Sequence, residues 1–385
     1  MQNMQNNKEQ RKKNTVFFVV FLVIWAGLTL WNIFAPKETF SESENRNLKT
    51  WPSFSVTDLL DGIFMNGVDD YLNDHFVARP VWVTGQSLME YGIGKREVNQ
   101  VYIGKNAFLG DLLPPDDTST QRNIQGIRDF AQRQDMPVTL MLVPSSTQIQ
   151  PEKLPAFAEG WDEKAYIDGV YTELADVAAT ASAYDALAAH SSEYIYYRTD
   201  HHWTSYGAYL AYRELAPAMG LTAREREQFT ITPMTDSFLG TYHSKTGFPL
   251  VDADSMESWQ AGSVTGYEIS GDKEELAFDS IYFPEFLDKK DKYSYFLGQV
   301  QSYVTIHTGS DSGKKLLIFK DSYAHSLAPM LLEDYSEIRL VDLRYLNVAD
   351  YAEHLSVGDY DEALFLYSTD VFAHQIGTGK LITAN

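Results

Sequence analysis

The chain has 385 residues, of which 44% are hydrophobic and 14% aromatic, a composition typical of a folded protein. It contains no cysteine, which excludes disulfides, thiol nucleophiles and thiolate metal sites. The formal net charge is −22, and because residues 1–14 carry +3, the rest of the chain carries −25. A protein region this acidic repels nucleic acid, and a neutral or cationic polymer is therefore a better candidate substrate than a polyanion.

Residues 15–34 form an apolar run of 20 residues without a charge. At about 1.5 Å rise per residue, a helix of about 20 residues crosses a hydrocarbon core of about 30 Å. Four basic residues precede the run and only Lys37 closely follows it, which places the N-terminus in the cytoplasm. A cleaved signal peptide is the alternative, but the run exceeds the usual apolar core and no A-x-A site follows. The sequence therefore predicts a cytoplasmic tail over 1–14 and a single uncleaved anchor over 15–35, with the rest outside the cytoplasm.

Residues 36–100 are expected to form a stalk and a helical segment. The stretch 37–54 is polar, and apolar residues recur at helical spacing over 56–75. Short strands over 101–103 and 108–109 flank a turn and predict a hairpin.

The region 101–385 reads as an α/β domain. Residues 138–143 are continuously apolar, as expected of a strand buried on both faces. Further predicted strands cover 181–187, 314–320, 338–343 and 363–367, and predicted helices cover 163–180, 206–218, 325–335 and 348–356. Thr204 or Ser205 can cap the helix over 206–218. Strands alternating with helices imply parallel pairing, and the turn-rich, acidic segment at about 220–300 is interpreted as an insertion or lid.

Two short stretches carry the residues from which we predict chemistry. Asp200 and His202 lie two apart, so one carboxylate can orient one imidazole, and Ser322 follows a strand where a hydroxyl can be presented. Together they predict a Ser–His–Asp arrangement for acyl chemistry. The structural alternative is that Ser322 only caps a helix and that His202 is a core histidine.

Other histidines offer competing interpretations. His201 is expected to point its side chain away from that of His202. A metal site made of Asp200, His201 and His202 lacks the spacing of zinc motifs, so no metal is predicted. His325 lies close enough to Ser322 in sequence to be a rival base.

Four blocks of sequence resemble the DHHW family of bacterial exported proteins. They are Asp200–Thr204 with Tyr206–Tyr209, Tyr293–Gly298, Leu316–Tyr323, and Tyr335–Ile338 leading to Asp342–Tyr345. That family is similar to the SGNH-hydrolase-like domains of alginate O-acetyltransferases. The resemblance implies a Rossmann-like α/β fold with a permuted order, in which Ser322 is the nucleophile, His202 the base and Asp200 its orienter.

The chain departs from the family pattern at one place. Relatives tend to carry Gly-Gly-Asn-His after the Phe-Leu of the second block, whereas this chain reads Gly298-Gln-Val-Gln301. The asparagine that would donate to an oxyanion is thus Val300, and Gln299 or Gln301 is the expected substitute. Tyr323 and Trp203, which adjoin the serine and the histidine, are further candidates for substrate or oxyanion contacts.

The resemblance implies an O-acyltransferase of the bacterial cell membrane. We expect it to acetylate an exopolysaccharide or cell-wall glycan through a serine ester, with no cofactor. Because the catalytic domain is expected outside the cytoplasm, a cytosolic acetyl donor cannot serve it directly, and a multipass membrane acyltransferase partner that moves the acyl group across is implied by analogy. The alternatives are a carbohydrate esterase with the same residues, a catalytically silent glycan-binding or assembly subunit, and D-alanyl transfer onto teichoic acids.

Overall fold

The structure is a computed structural model that describes residues 2–41, 46–110, 113–158, 160–270, 276–346 and 356–382. The chain divides into two compact units, residues 1–89 and 90–385.

The first unit begins with the helix α1 (Gln2–Phe34), whose part from residue 9 onward is long and apolar enough to cross a membrane. The short strands β1 (Phe40–Ser41) and β2 (Arg46–Asn47) then pair antiparallel. The helices α2 (Val56–Leu60), α3 (Ile63–Asp74) and α4 (Arg79–Gly92) follow. The single helix expected over 56–75 is therefore wrong, because Gly62, with φ of 77°, breaks it in two.

In the second unit, a small antiparallel sheet contains the predicted hairpin. It consists of β3 (Glu97–Val98), β4 (Val101–Ile103) and β5 (Phe108–Gly110). The hairpin prediction is confirmed.

An eight-stranded mixed sheet forms the centre of the second unit. Its strands in chain order are β6 (Val138–Val143), β7 (Ala179–Thr180), β10 (Val264–Ser270), β11 (Leu276–Phe278), β12 (Tyr303–Thr308), β13 (Lys315–Lys320), β14 (Glu337–Val341) and β15 (Glu362–Ser368). The spatial order is β11-β10-β12-β14-β13-β15-β6-β7. The five strands from β14 to β7 are parallel, and the remaining pairs are antiparallel.

Helices cover both faces of the parallel part, which explains its continuously apolar strands. Alternate residues of β6, β13 and β15 point to opposite faces and belong to two separate apolar clusters. On one face pack α8 (Tyr184–Ala189), α9 (Ser205–Ala218) and α11 (Ala324–Leu327); on the other lie α5 (Asp117–Arg133) and α7 (Glu163–Leu174). The short helices α6 (Ser146–Ile149) and α12 (Thr369–His374) directly follow β6 and β15. A third short helix, α10 (Thr241–Thr246), follows the strand Thr230–Phe238, which lies outside the central sheet.

Several predicted elements differ from the structure. The strand over 181–187 is wrong: the strand is only Ala179–Thr180, and the following Ala-rich stretch is the helix α8. The helix over 325–335 is shortened to α11 and a 3₁₀ turn, Ala328–Leu331. The helix expected over 348–356 lies almost entirely outside the described residues.

The segment at about 220–300 contributes to two sheets. The antiparallel pair β8 (Thr230–Phe238) and β9 (Asp254–Gln260) stands apart from the central sheet. β10 and β11, in contrast, belong to the central sheet and extend its antiparallel edge.

Candidate active site

A cleft of about 430 Å³ lies where the carboxyl ends of three parallel strands meet. Ser322 follows β13, Ser145 follows β6, and Ser368 and Thr369 stand at the end of β15. Open α/β sheets bind ligands at this edge, because the loops after parallel strands converge there. The volume is within the range of small-molecule pockets.

The loop that carries Asp200 and His202 is closed by backbone hydrogen bonds. Tyr197 N donates to His202 O at 3.2 Å, and Thr204 N donates to Ile195 O at 2.9 Å. The buried Asp254 carboxylate also accepts from the backbone N–H groups of Arg198 and Thr199, at 2.7 and 2.8 Å. The residues just before Asp200 are therefore fixed from outside the loop.

Asp200, His202 and Ser322 form a continuous chain of hydrogen bonds. His202 Nδ1 lies 2.6 Å from Asp200 Oδ1, and His202 Nε2 lies 2.7 Å from Ser322 Oγ. A carboxylate can only accept, so Nδ1 carries the hydrogen and Nε2 is left to accept the serine proton. The structure thus brings together residues that are 120 positions apart in sequence.

Asp200 is held ionised in a buried position. Burial alone would raise its pKa, but the neighbouring His201 and His202 and the N–H donors around it lower the pKa overall. The donors include His202 N at 3.0 Å and Thr241 N at 2.7 Å. A fixed negative charge thus lies 2.6 Å from His202 Nδ1.

The expectation that His201 points away from His202 is wrong. The two imidazole ring centroids are 3.8 Å apart, and His201 Nδ1 is 3.4 Å from Asp200 Oδ1. Desolvation of the half-buried ring, followed by repulsion from His202, lowers the pKa of His201 to about 4. His201 lines the cleft. The prediction assumed extended backbone, in which neighbouring side chains alternate, whereas these residues lie in a bend.

Trp203 ties the histidine loop to the serine loop. Its ring is fully buried, and Nε1 donates to Tyr323 O at 3.2 Å and to Ser326 Oγ at 2.9 Å. The Tyr323 hydroxyl donates to His201 O. Tyr323 lines the cleft. The geometry therefore gives Trp203 a structural position and leaves Tyr323 beside the cleft.

Gln299 and Gln301 do not line the cleft that contains Ser322. They border a separate, much smaller cavity together with Lys320 and His325. Val300 is 48% exposed. The structure thus does not bring these three residues to the serine hydroxyl.

His325 is occupied by another partner. Lys320 Nζ lies 2.7 Å from His325 Nε2, and both side chains are buried. Burial, followed by the Lys320 cation, lowers the pKa of His325 well below its usual range. Burial likewise lowers the pKa of Lys320 to about 8. This arrangement does not support His325 as the base for Ser322.

The ligand atoms of Asp200, His201 and His202 converge closely enough to hold a metal ion. However, both nitrogens of His202 are engaged, one with the carboxylate and one with the serine hydroxyl. An ion would have to break one of these short bonds. The donor set therefore fits a proton-transfer site better than a metal centre.

Two contributors to the site were not predicted from the sequence. Tyr293 stacks on His202, with ring centroids 3.8 Å apart and planes 7° apart. Gly240 approaches Asp200 so closely that an added Cβ would lie 2.3 Å from its Oδ2. Tyr293 belongs to one of the four blocks that resemble the DHHW family, and this was the sequence signal that could have identified it. Nothing in the sequence marks Gly240.

Solved structures share this fold. A DHHW family protein from Eubacterium siraeum is 24% identical, with a TM-score of 0.62 over 74% of this chain and 95% of that chain. PatB1 from Bacillus cereus, solved with a sulfonyl adduct, is 16% identical, with a TM-score of 0.59 over 72% of this chain and 98% of that chain. At these identities the likeness concerns the fold, which is the α/β, SGNH-like architecture predicted from the sequence.

A curated relative, named "Probable alginate O-acetylase AlgJ", comes from Pseudomonas syringae pv. tomato. It is 23% identical over 237 residues, which are 57% of this chain and 56% of that protein. The chain thus spans about half the length of the curated relative it matches. The model of the family described as "DHHW protein" matches residues 137–341, just over half of the chain. The protein therefore belongs to the DHHW family.

Proposed function

We propose that this protein is a membrane-anchored O-acyltransferase that acetylates a glycan outside the cytoplasm through an ester on Ser322. The observation that supports it is the Asp200–His202–Ser322 chain, with hydrogen bonds of 2.6 and 2.7 Å at the cleft. The same arrangement activates serine nucleophiles on unrelated folds.

In the first half-reaction, Ser322 Oγ attacks the carbonyl carbon of an acetyl donor. His202 Nε2 takes the hydroxyl proton, and the Asp200 carboxylate stabilises the resulting imidazolium. The donor's leaving group then departs with that proton, which leaves an acetyl ester on Ser322.

In the second half-reaction, a glycan hydroxyl binds at the position that the donor's leaving group has vacated. His202 takes its proton, the glycan oxygen attacks the ester carbonyl, and Ser322 Oγ departs and regains the proton. One acetyl group moves from donor to glycan, and the three residues return to their starting states.

The name of the curated relative supports glycan acetylation as the reaction class. The apolar helix up to Phe34 supports an anchored enzyme whose second unit lies outside the cytoplasm. Cytosolic acetyl donors do not reach that side directly, so a multipass membrane acyltransferase is the partner that we propose to supply the acetyl group.

The test uses the full-length protein in detergent with a chromogenic acetyl ester and neutral glycan oligomers. Wild type is expected to release the chromophore and to add 42 Da (about the mass of an acetyl group less one hydrogen) to the oligomers. Ser322→Ala and His202→Ala are each expected to lower release by at least about 10³-fold, because the nucleophile and its base act as a unit.

The matched control is Ser312→Ala, because Ser312 is an exposed serine; this variant is expected to keep wild-type activity. Release that persists in Ser322→Ala would contradict the proposal. A wild-type protein without release would instead favour a silent glycan-binding or assembly subunit.

A carbohydrate esterase is the second candidate, because Ser322 is only partly buried and the cleft admits water. The esterase differs only in the acceptor, since water would then attack the ester on Ser322. Chromophore release without acetylated oligomers would favour it.

A further inference from the structure

Tyr293 lies directly behind the proposed base. It belongs to a 3₁₀ turn, Lys292–Tyr295, and its side chain is buried. Its ring lies parallel to the His202 imidazole, with 3.8 Å between centroids and 7° between planes. Phe296 and Tyr197 hold the ring from the side, with centroids at 5.4 and 6.4 Å.

The His202 ring is covered on both faces. His201 also lies 3.8 Å from the His202 centroid, with planes 37° apart. Two rings cannot occupy the same face at that distance, so His201 and Tyr293 flank the imidazole. Rotation about the Cβ–Cγ bond of His202 is therefore blocked, and Nε2 stays directed at Ser322.

The Tyr293 hydroxyl extends this contact to the serine. It donates to Ser322 O at 3.2 Å, and it also hydrogen-bonds with the Ser326 side chain. Ser326 Oγ in turn accepts from Trp203 Nε1 at 2.9 Å. A chain of hydrogen bonds thus connects Trp203, the residue after His202, through Ser326 and Tyr293 to the backbone carbonyl of Ser322.

We propose that Tyr293 is a positioning residue that aligns the base with the nucleophile and stabilises the imidazolium form of His202. This inference rests on the proposed function. The face of an aromatic ring is electron-rich, so a stacked imidazolium is favoured over the neutral imidazole. The benefit arises when His202 has taken the serine proton, which is the charge that develops during the reaction.

Other charged and titratable groups surround the Asp200–His202 pair and the rings next to it, and the experiment must leave them unchanged. They come from its own loop, from the serine loop and helix α11, and from α10 and the loop before the 3₁₀ turn: Asp200, His201, Asp321, Tyr323, His325, Lys245 and Lys290. A change of Tyr293 alone leaves all of them in place.

The experiment measures sulfonylation of Ser322 in the full-length protein by phenylmethylsulfonyl fluoride, followed by mass spectrometry from pH 5 to 9. In this reaction an O–S bond forms, fluoride leaves, and His202 takes the serine proton. Tyr293→Leu, which removes the ring, is expected to lower the rate by about tenfold or more. It is also expected to move the pH midpoint down by about 0.5–1 unit.

Tyr293→Phe keeps the ring and loses only the hydroxyl. It is expected to keep the wild-type midpoint and to react about fivefold more slowly, as for one lost neutral hydrogen bond. Tyr293→Met serves as a second ring-free variant if Tyr293→Leu does not fold. Phe365→Leu removes another buried stacked ring, 4.8 Å from that of Phe319, and is expected to react like wild type.

A wild-type midpoint and rate in Tyr293→Leu would overturn the inference. So would an equal shift in Tyr293→Phe, or the same loss in Phe365→Leu, since the ring itself or its position would then not matter. If wild type is not sulfonylated on Ser322 at all, the proposed function itself fails, which is a distinct outcome.

Discussion

Asp200 occupies a space that leaves no room for a larger neighbour. Its carboxylate accepts hydrogen bonds from His202 and from Thr241 N, while the backbone of Gly240 lies against its Cβ. Gly240 has φ of −83°, which any residue can adopt, so its small size and not its flexibility is required here.

Gly240→Ala is expected to displace the Asp200 carboxylate and reduce activity. The new Cβ would lie 2.3 Å from both Cβ and Oδ2 of Asp200, so one of the groups must move. A shift of about 1 Å in such a site costs about 10²-fold in rate. The rate of acetyl-ester release measures it.

Gly169→Ala is the matched control for this change. Gly169 lies inside α7 with no neighbouring atom within 4 Å of an added Cβ. We expect unchanged release and a free energy of unfolding raised by about 0.5–1 kcal/mol. Wild-type release in Gly240→Ala would mean that the Asp200 position tolerates movement.

His374 is expected to make stability depend on pH. Its Nε2 is 2.9 Å from Pro114 O and its Nδ1 is 3.0 Å from Asp370 O, and both partners can only accept. Burial opposes the charge, but these oxygens and the Asp370 carboxylate raise the pKa overall. The stability that comes from a raised pKa is fully present below the pKa of the unfolded state, about 6.5 for histidine. This stability is lost as the pH rises through the pKa of the folded state.

The test compares wild type with His374→Gln by urea unfolding at pH 5, 7 and 8.5. The difference in free energy of unfolding is expected to be largest at pH 5 and smallest at pH 8.5. A difference that is constant, or that grows with pH, would contradict a charged His374.

At this scale the sequence was informative where chemistry dictates residue type. The pairing of Asp200 with His202 follows from their spacing, and the resemblance singled out Ser322. The contacts of Tyr293 and Gly240 are packing contacts with residues distant in sequence, so Gly240 leaves no local pattern and Tyr293 is marked only by its place in a resembling block. The position of Trp203 in a motif did not reveal that its ring is fully buried.

At the scale of elements, the start of α9 sets the position of the histidine loop. Thr204 Oγ1 accepts from Gly207 N at 3.2 Å and donates to Tyr194 O at 2.8 Å. An added Cβ on Gly207 would lie 2.2 Å from Ile195 O, so the helix and the loop are in close contact. The cap therefore fixes both the helix and the loop before it.

Thr204→Ala is expected to lower the free energy of unfolding by about 1–2 kcal/mol, because it removes the cap and the second bond. Thr204→Ser keeps the hydroxyl and is expected to lose less than half of that amount. Urea unfolding at pH 7 measures both. Equal losses in the two variants would indicate that the methyl group, not the hydrogen bonds, stabilises this start.

Elements were predicted best where burial on both faces makes a strand continuously apolar. β6, β13 and β15 are confirmed for this reason, and so is α9 with its cap at Thr204. β12 (Tyr303–Thr308) was not predicted, although the alternation of Val304 and Ile306 with Thr305 and His307 is itself a signal for a half-buried strand; it pairs antiparallel with β10 and β14. The order of strands in the sheet depends on long-range pairing and was not predicted.

At the scale of the whole molecule, charge is distributed asymmetrically about the apolar helix. Basic residues cluster before it, whereas the net charge of the whole chain is −22. Basic residues flanking a membrane-spanning helix are retained on the cytoplasmic side. We therefore expect the second unit, with Ser322, to lie outside the cytoplasm.

The absence of cysteine allows a direct test, because wild type gives no background with a thiol reagent. Gln10→Cys and Ser312→Cys place single thiols at exposed positions before and after the uncharged apolar run 15–34. In spheroplasts a membrane-impermeant maleimide is expected to label Ser312→Cys at once, and Gln10→Cys only after permeabilisation. Gel shift of the full-length protein measures the labelling.

The two variants serve as each other's control, since both thiols react equally once the membrane is opened. Labelling of Gln10→Cys alone in intact spheroplasts would reverse the orientation and place Ser322 in the cytoplasm. A transmembrane acetyl donor would then be unnecessary, because cytosolic donors would reach the cleft directly. The topology thus decides whether the proposed multipass partner is required.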